Sequence, residues 1–440
     1  MTQKKNILLK DIDIITADKS NVFLNNVSVA IKDGRIDFIG DTDNIPAAFS
    51  PKKVIDGRHK IAMPGLVNAH THSGMTLLRN LAEGLSLEDW LYNHVLPAEA
   101  KLSPEDVYWG TLLGIAEMIK SGTTAFADMY LHMDAVARAV VESGIRANLS
   151  KSPIKLNRGH RCNNKYQWDG CFEYYNCWNG KADGRIKVSI EVHSAYMFDE
   201  CALRESYELA MHCGAGIHIH LLETLREREE SIAKYGIDSV KVCEKCGIFD
   251  VPVIAAHCVH LDDDDIAILA ERSVNVVHNP TSNLKLGSGI ARIPRMLDEG
   301  INIALGTDGA ASNNNLNMFE EINLAALIHK GVGRDPCLIG AETALHMATV
   351  NGAKAIGFEG QTGVIKEGMK ADIIVLDVDK PHFCPMNDPV SAMVYCAQAS
   401  DVDTVIIDGG IVMEGRELKT IDEELVKYKV MEISKRVLSE

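Results

Sequence analysis

Eight short apolar runs separated by longer connecting stretches limit what this chain can fold into. They are Ile61–His70, Thr123–Met129, Arg146–Leu149, Ile186–Val192, Ala215–His220, Val253–Ala256, Val274–Val277 and Ile301–Leu305. Amphipathic helical patterns lie between most of them, as at Pro104–Lys120, Asp134–Ser143, Glu200–His212 and Asp263–Glu271. Strands and helices alternating this way over roughly 300 residues predict a (β/α)₈ barrel rather than an open doubly wound sheet. No G-x-G-x-x-G follows a strand, so the fingerprint of a dinucleotide fold is missing.

The two ends read differently. Val27–Ile31, a turn at Asp33-Gly34, and Ile36–Ile39 form a hairpin pattern, and Val405–Ile407, Asp408-Gly409 and Ile411–Met413 repeat it near the C-terminus. One small β-sandwich built from both termini accounts for this, since chain ends often lie close together. The expected division is a composite β domain from residues 1–60 and 367–421, a distorted barrel over 61–366, and a C-terminal helix over 422–440. Leu425, Tyr428, Met431, Ile433 and Val437 carry the period of that helix. Pro153–Asn179 shows no clear period and reads as a long loop over the barrel mouth.

The chain has 440 residues, 46% of them hydrophobic, and a formal net charge of -16. An acidic surface argues against nucleic acid or an anionic membrane as the main partner. No apolar run approaches membrane-spanning length, and no signal-peptide h-region is visible. Eleven cysteines thinly spread over this length are not a disulfide framework. A cytoplasmic protein is expected.

Catalytic groups of such barrels sit at the C-terminal ends of the strands. Strand one ends His70-Thr71-His72. Alternation along a strand puts both rings on one face, which makes half of a metal site. Later ends carry Asp128, His193, His218 and His220, His257 and His260, His278, and Asp308. Histidines recurring at one end of successive strands are more specific than any single motif.

This constellation resembles the amidohydrolase superfamily over nearly the whole chain. Within it, the nearest resemblance is to the 5-methylthioadenosine/S-adenosylhomocysteine deaminases. The stretches that carry it are Pro64–His72, Met75–Arg79, Leu87–Leu91, His220–Thr224, His257–Leu261 and Gly306–Asn314. The resemblance implies that His70, His72, His220 and Asp308 hold one divalent metal. Zinc is the first expectation and iron the second, because three imidazoles and a carboxylate suit a first-row ion with a position left for water. Two-metal members carry a carboxylated lysine where His193 stands here, which implies a single ion. His218 shares the spacing of His220, but the register before Glu223 favours His220 as ligand.

By the same resemblance, Glu223 is the proton shuttle, where a surface glutamate opening a helix is the alternative. Asp308 accepts a proton from water, and His257 bonds that water. The implied reaction is hydrolytic deamination of an adenine nucleoside: 5-methylthioadenosine, S-adenosylhomocysteine or adenosine. Glu99 would hold the ribose hydroxyls, Trp90 would pack on the nucleoside, and His193 would bond the purine. Glu223 and Asp308 also face the substrate. The arginines that grip a homocysteine carboxylate should fall near Arg158 and Arg161, which do not align with the expected places. A guanine or pterin deaminase or a triazine hydrolase is the alternative within the superfamily, and a free base would not need the Glu99–Trp90 pair. A non-catalytic scaffold would have lost a ligand or Glu223, and none is lost. Superfamily barrels often associate, so a homo-oligomer is open.

Other features take plainer readings. Cys243-x-x-Cys246 has no second pair and reads as incidental. Asp262–Asp265 reads as a solvated helix start, Asn313–Asn315 as a turn, and His260 as structural.

Overall fold

The computed structural model describes residues 6–18, 23–153 and 170–438. Eight parallel strands follow one another in sequence order: β1 (Leu66–Thr71), β2 (Thr123–Met129), β3 (Arg146–Lys151), β4 (Ile186–Ser194), β5 (Ile217–Leu221), β6 (Val253–His257), β7 (Asn275–His278) and β8 (Ile303–Leu305). The helices that concern the site or its support are α1 (Pro104–Lys120), α2 (Met133–Ser143), α3 (Cys171–Trp178), α4 (Glu200–Cys213), α5 (Leu225–Tyr235), α6 (Asp263–Glu271), α7 (Pro280–Lys285), α8 (Met318–Gly333) and α9 (Glu423–Leu438). This is the expected α/β barrel. Between β8 and β1, one backbone bond and the Asn68 side chain make the join. The Asp308 amide donates to the His70 carbonyl at 3.0 Å, and Asn68 donates to Thr307 Oγ1 at 2.7 Å and accepts from the Thr307 amide at 3.0 Å. This join draws the exit of the last strand against the histidines of the first.

The terminal strands form one sheet of nine. The strand Lys60–Pro64 lies at its middle, parallel to Ile7–Ile15 and antiparallel to Ile373–Asp377. Apolar residues from both ends of the chain, among them Ile12, Val29, Ile31, Ile373 and Ile406, share a core separate from that of the barrel. The apolar run Ile61–His70, expected as one strand, is therefore two. It changes sheets at Gly65, where a Cβ would come within 2.0 Å of Thr124 Oγ1, so only glycine admits this approach. Behind it, Arg146 on β3 donates from Nε and Nη2 to both Asp372 oxygens, at 2.7 and 2.9 Å, with both side chains buried. Asp372 also accepts the Asp408 amide at 2.7 Å. One carboxylate thus ties the barrel floor to the terminal sheet.

Capping explains several helix starts. Ser103 and Asp106 form a reciprocal box ahead of α1, with Pro104 in its first turn. Asp262 and Asp265 do the same for α6. That start is not simply solvated, however. Asp265 is fully buried against Arg228. The segment Pro153–Asn179 also differs from the loop expected, because its described part contains α3. Arg158 and Arg161 lie outside the described residues. On α9 the buried face is Val426, Val430, Ile433 and Val437, whereas Leu425, Tyr428 and Met431 are exposed. Lys120–Glu423 at 2.8 Å and Asp106–Arg436 at 2.5 Å pin the two ends of α9 to α1 and set that phase. Cys243 and Cys246 are free and buried on and just after the helix Ser239–Lys245. Among the described residues, no helix is long and apolar enough to cross a membrane.

Candidate active site

The exits of β1, β5, β6 and β8 converge at the top of the barrel. His72 Nδ1 lies 2.5 Å from the Met129 carbonyl and His220 Nδ1 2.7 Å from the His193 carbonyl. A carbonyl oxygen can only accept, so in both rings Nδ1 carries the proton and Nε2 presents its lone pair. His70 Nδ1 lies 2.9 Å from His218 Nε2, and His218 Nδ1 lies 3.2 Å from Ser150 Oγ, a chain that orients the third ring the same way. His218 thus stands behind His70 rather than beside His220. His193 supplies its carbonyl through a β-bulge: Ile219 faces Val192, but His220 faces Ser194.

The Nε2 atoms of His72 and His220 are 3.2 Å apart. Asp308 Oδ1 is 3.2 Å from His72 Nε2 and 3.4 Å from His70 Nε2. The other carboxyl oxygen of Asp308 accepts from Ser282 at 2.6 Å and Ser312 at 2.7 Å, which leaves Oδ1 to the rings. His70 Nε2 is buried with no hydrogen-bond partner. Lone pairs aimed at one another at these distances repel unless a cation lies between them. Three imidazole nitrogens and one carboxylate oxygen are a donor set that fits a divalent first-row ion. His257 Nε2 borders the same point, and its Nδ1 is fixed 2.8 Å from Asn283 Oδ1.

The charges of these buried groups act on one another. Burial opposes a charged ring at His72, whereas the bond to Asp308 and its charge favour one. Burial lowers His70 to about 4. Burial would raise Asp308, yet the facing rings of His70 and His72 hold it well below the usual carboxylate range. Asp128 is used differently. It accepts from the Ser73 amide, Ser73 Oγ and Thr71 Oγ1, all within 2.8 Å, and so braces the segment carrying the two histidines.

A cavity of about 660 Å³ opens over this cluster and is lined by Trp90, Glu99, Glu191, His193, Glu223 and Asp308, among others. Glu223 is buried, which raises its carboxyl. Its Oε2 lies 3.8 Å from His257 Nε2, and its Oε1 accepts from Ser288 at 3.3 Å. It is not a surface residue. Glu99 Oε1 is buried with no hydrogen bond of accepted geometry, and burial lifts that carboxyl to about 7 against the pull of the nearby Tyr130 hydroxyl. Trp90 is buried on the cavity wall. Burial holds the His193 ring down at about 3, so it is neutral. His260 bonds the Ser288 carbonyl at 2.8 Å and is turned away from the cluster.

Several neighbours escape sequence reasoning. Ser282, Asn283 and Ser288 follow β7 in the stretch Asn279–Ser288, where hydroxyls and amides carry no spacing signal. Glu191 has a buried Oε2 with no partner, and burial pushes its carboxyl to about 8. Its inward position, two residues before His193 on β4, was the available clue.

Residues 61–412 match the amidohydrolase family, and the chain belongs to it. It is 64% identical over 435 residues to the 5-methylthioadenosine/S-adenosylhomocysteine deaminase of Acetivibrio thermocellus, covering 98% of this chain and 100% of that one. An adenosine deaminase from Xanthomonas campestris, solved with bound zinc, superposes with a TM-score of 0.93 at 32% identity over 99% of both chains. A triazine hydrolase from Arthobacter aurescens has a TM-score of 0.89 at 24% identity, over 98% of this chain and 99% of that one, which is a likeness of fold. A divalent metal belongs with this family, and the His-rich cluster is the place in this chain that fits one.

Proposed function

We propose that the chain deaminates an adenine nucleoside, 5-methylthioadenosine, S-adenosylhomocysteine or adenosine, by hydrolysis at C6. One observation carries the nucleoside reading. The unpartnered carboxyl oxygen of Glu99 lines the same cavity as the histidine cluster. A buried acceptor without a donor is costly, and ribose hydroxyls supply the donors. A free base would leave it unpaired.

His70, His72, His220 and Asp308 would hold the metal, which we take to be a single zinc ion, with iron second. A metal bound there supplies a water of lowered pKa and a Lewis acid. Ser282 and Ser312 hold Asp308 Oδ2, so Oδ1 would be the oxygen free to take a proton from attacking water. His257, oriented by Asn283, would hydrogen-bond the attacking water. Glu223 gives a proton to the ring nitrogen beside C6, so negative charge does not build there. The C6–O bond forms and the C6–N bond breaks: the amine leaves as ammonia with the proton that Asp308 had taken, and the remaining proton of the C6 hydroxyl returns to Glu223, which leaves the 6-keto product and resets the carboxyl. Trp90 packs on the nucleoside and His193 bonds the purine edge. We assign the protein to the cytoplasm on free thiols such as Cys243, Cys246 and Cys258, although Cys201 is disulfide-bonded. A homo-oligomer is the assembly we would look for.

Ammonia release tested over adenosine, 5-methylthioadenosine, S-adenosylhomocysteine, adenine, guanine and triazines decides the substrate. Activity confined to guanine or triazines would overturn the reading. Glu99→Ala should lower kcat/KM for nucleosides by about a hundredfold or more, as loss of a charge-assisted contact implies, and should leave adenine little changed. Equal loss on both would remove the ribose role. Protein purified without chelators should contain about one ion per chain, as four ligands around one point require. Two ions would refute the single-metal site.

A further inference from the structure

The exits of β5 and β6 are both left-handed turns of residues other than glycine. Leu222 has φ 45°, His257 φ 72° and Cys258 φ 49°. Such conformations are strained and persist only where surrounding bonds over-determine them. Here the two turns are stapled together. The Cys258 amide donates to the Leu221 carbonyl at 2.9 Å, and the Val259 and His260 amides both donate to the Leu222 carbonyl at 3.0 Å. Leu222 is fully buried. Glu223 leaves one of these turns and His257 opens the other, so the turns set how the two side chains meet.

Beneath the first turn lies Glu227, buried in the first turn of α5. Thr224 caps α5 by accepting from the Glu227 amide at 3.3 Å. A glutamate at this position usually reaches back to the amide of the capping residue. Glu227 reaches one residue further, and its Oε2 accepts from the Glu223 amide at 3.2 Å. Its Oε1 has no hydrogen-bond partner. Helix capping alone does not explain a buried carboxyl spent on Glu223.

We propose that Glu227 is a positioning residue: its carboxyl holds the left-handed turn at Leu222 and so aims Glu223, and through the stapled turn His257, at the reacting ring. The inference rests on Glu223 being the proton shuttle. The Glu227 carboxyl faces the Leu222 and Glu223 amides and the Ser239 hydroxyl, so it acts on Glu223 through the backbone of the turn.

The test compares wild type, Glu227→Met, Glu227→Gln, Glu223→Gln and the double variant Glu223→Gln/Glu227→Met, each as full-length metal-loaded protein assayed on 5-methylthioadenosine. Methionine fills the volume without accepting a hydrogen bond, and glutamine keeps an oxygen in place. Glu227→Met should keep its metal and a KM within about threefold while kcat falls about a hundredfold, the scale of a displacement near 1 Å. Glu227→Gln should stay within about fivefold of wild type. The double variant should be no slower than Glu223→Gln alone, because both changes remove one function. Without any substrate, the Glu223 amide hydrogen should exchange about tenfold faster in Glu227→Met. Full kcat in Glu227→Met, equal loss in Glu227→Gln, additive loss in the double variant, unaltered exchange, or failure of Glu227→Met to fold would each overturn the proposal. Near-normal turnover in Glu223→Gln would instead sink the shuttle reading and is seen separately.

Discussion

Glu223→Gln should keep the metal and the fold and lose about 10²–10⁴ of kcat, the usual contribution of a placed proton donor. The carboxyl has the features the task needs. Burial raises it, so it holds its proton to higher pH than a surface glutamate does. Ser288 and His257 flank its two oxygens. The glutamine is nearly the same size and can still accept from Ser288, but it has no acidic proton to give. Steady-state deamination together with metal content checks this, and a rate within a few-fold of wild type would remove Glu223 from the mechanism.

Asp372→Ala should be the most damaging single change to stability considered for this chain, about 3–5 kcal/mol, because it strands the buried guanidinium of Arg146. Asp408 lies 4.0 Å from that guanidinium and is already engaged by Lys370, so it is a poor substitute. The Asp408 amide would also lose its acceptor. The double change Arg146→Met/Asp372→Leu should recover part of the loss, since removing both charges avoids an uncompensated one. Urea unfolding of the three proteins checks it. A single variant as stable as wild type would show that the pair contributes nothing net.

How much of this was visible beforehand depends on the kind of signal. The barrel strands were legible because buried parallel strands are apolar along their whole length, and α1 and α6 were bounded correctly by their amphipathic pattern. The join at Gly65 was not, since the apolar run continues through a change of sheet that only Thr124 reveals. The phase of α9 was misread because Leu425, Tyr428 and Met431 keep a helical period while facing solvent. Tertiary ion pairs to α1 decided the rotation. At the site, strand ends and spacing singled out the residues that converge. The bonds that orient them could not be read. The carbonyls of Met129 and His193 belong to the backbone, and the turn at Leu222 has an ordinary apolar side chain.

The position of Lys60–Pro64 in its sheet bears on how the protein is made. Its antiparallel neighbour, Ile373–Asp377, leaves the ribosome only after the whole barrel has been synthesised. Until then Ile61 and Met63 belong to a strand with one edge unpaired, the kind of surface that recruits other chains. Domains fold from the N-terminus as they emerge. In this chain the first strands made are among the last to be completed, and a nascent polypeptide that stalls before residue 373 presents that open edge.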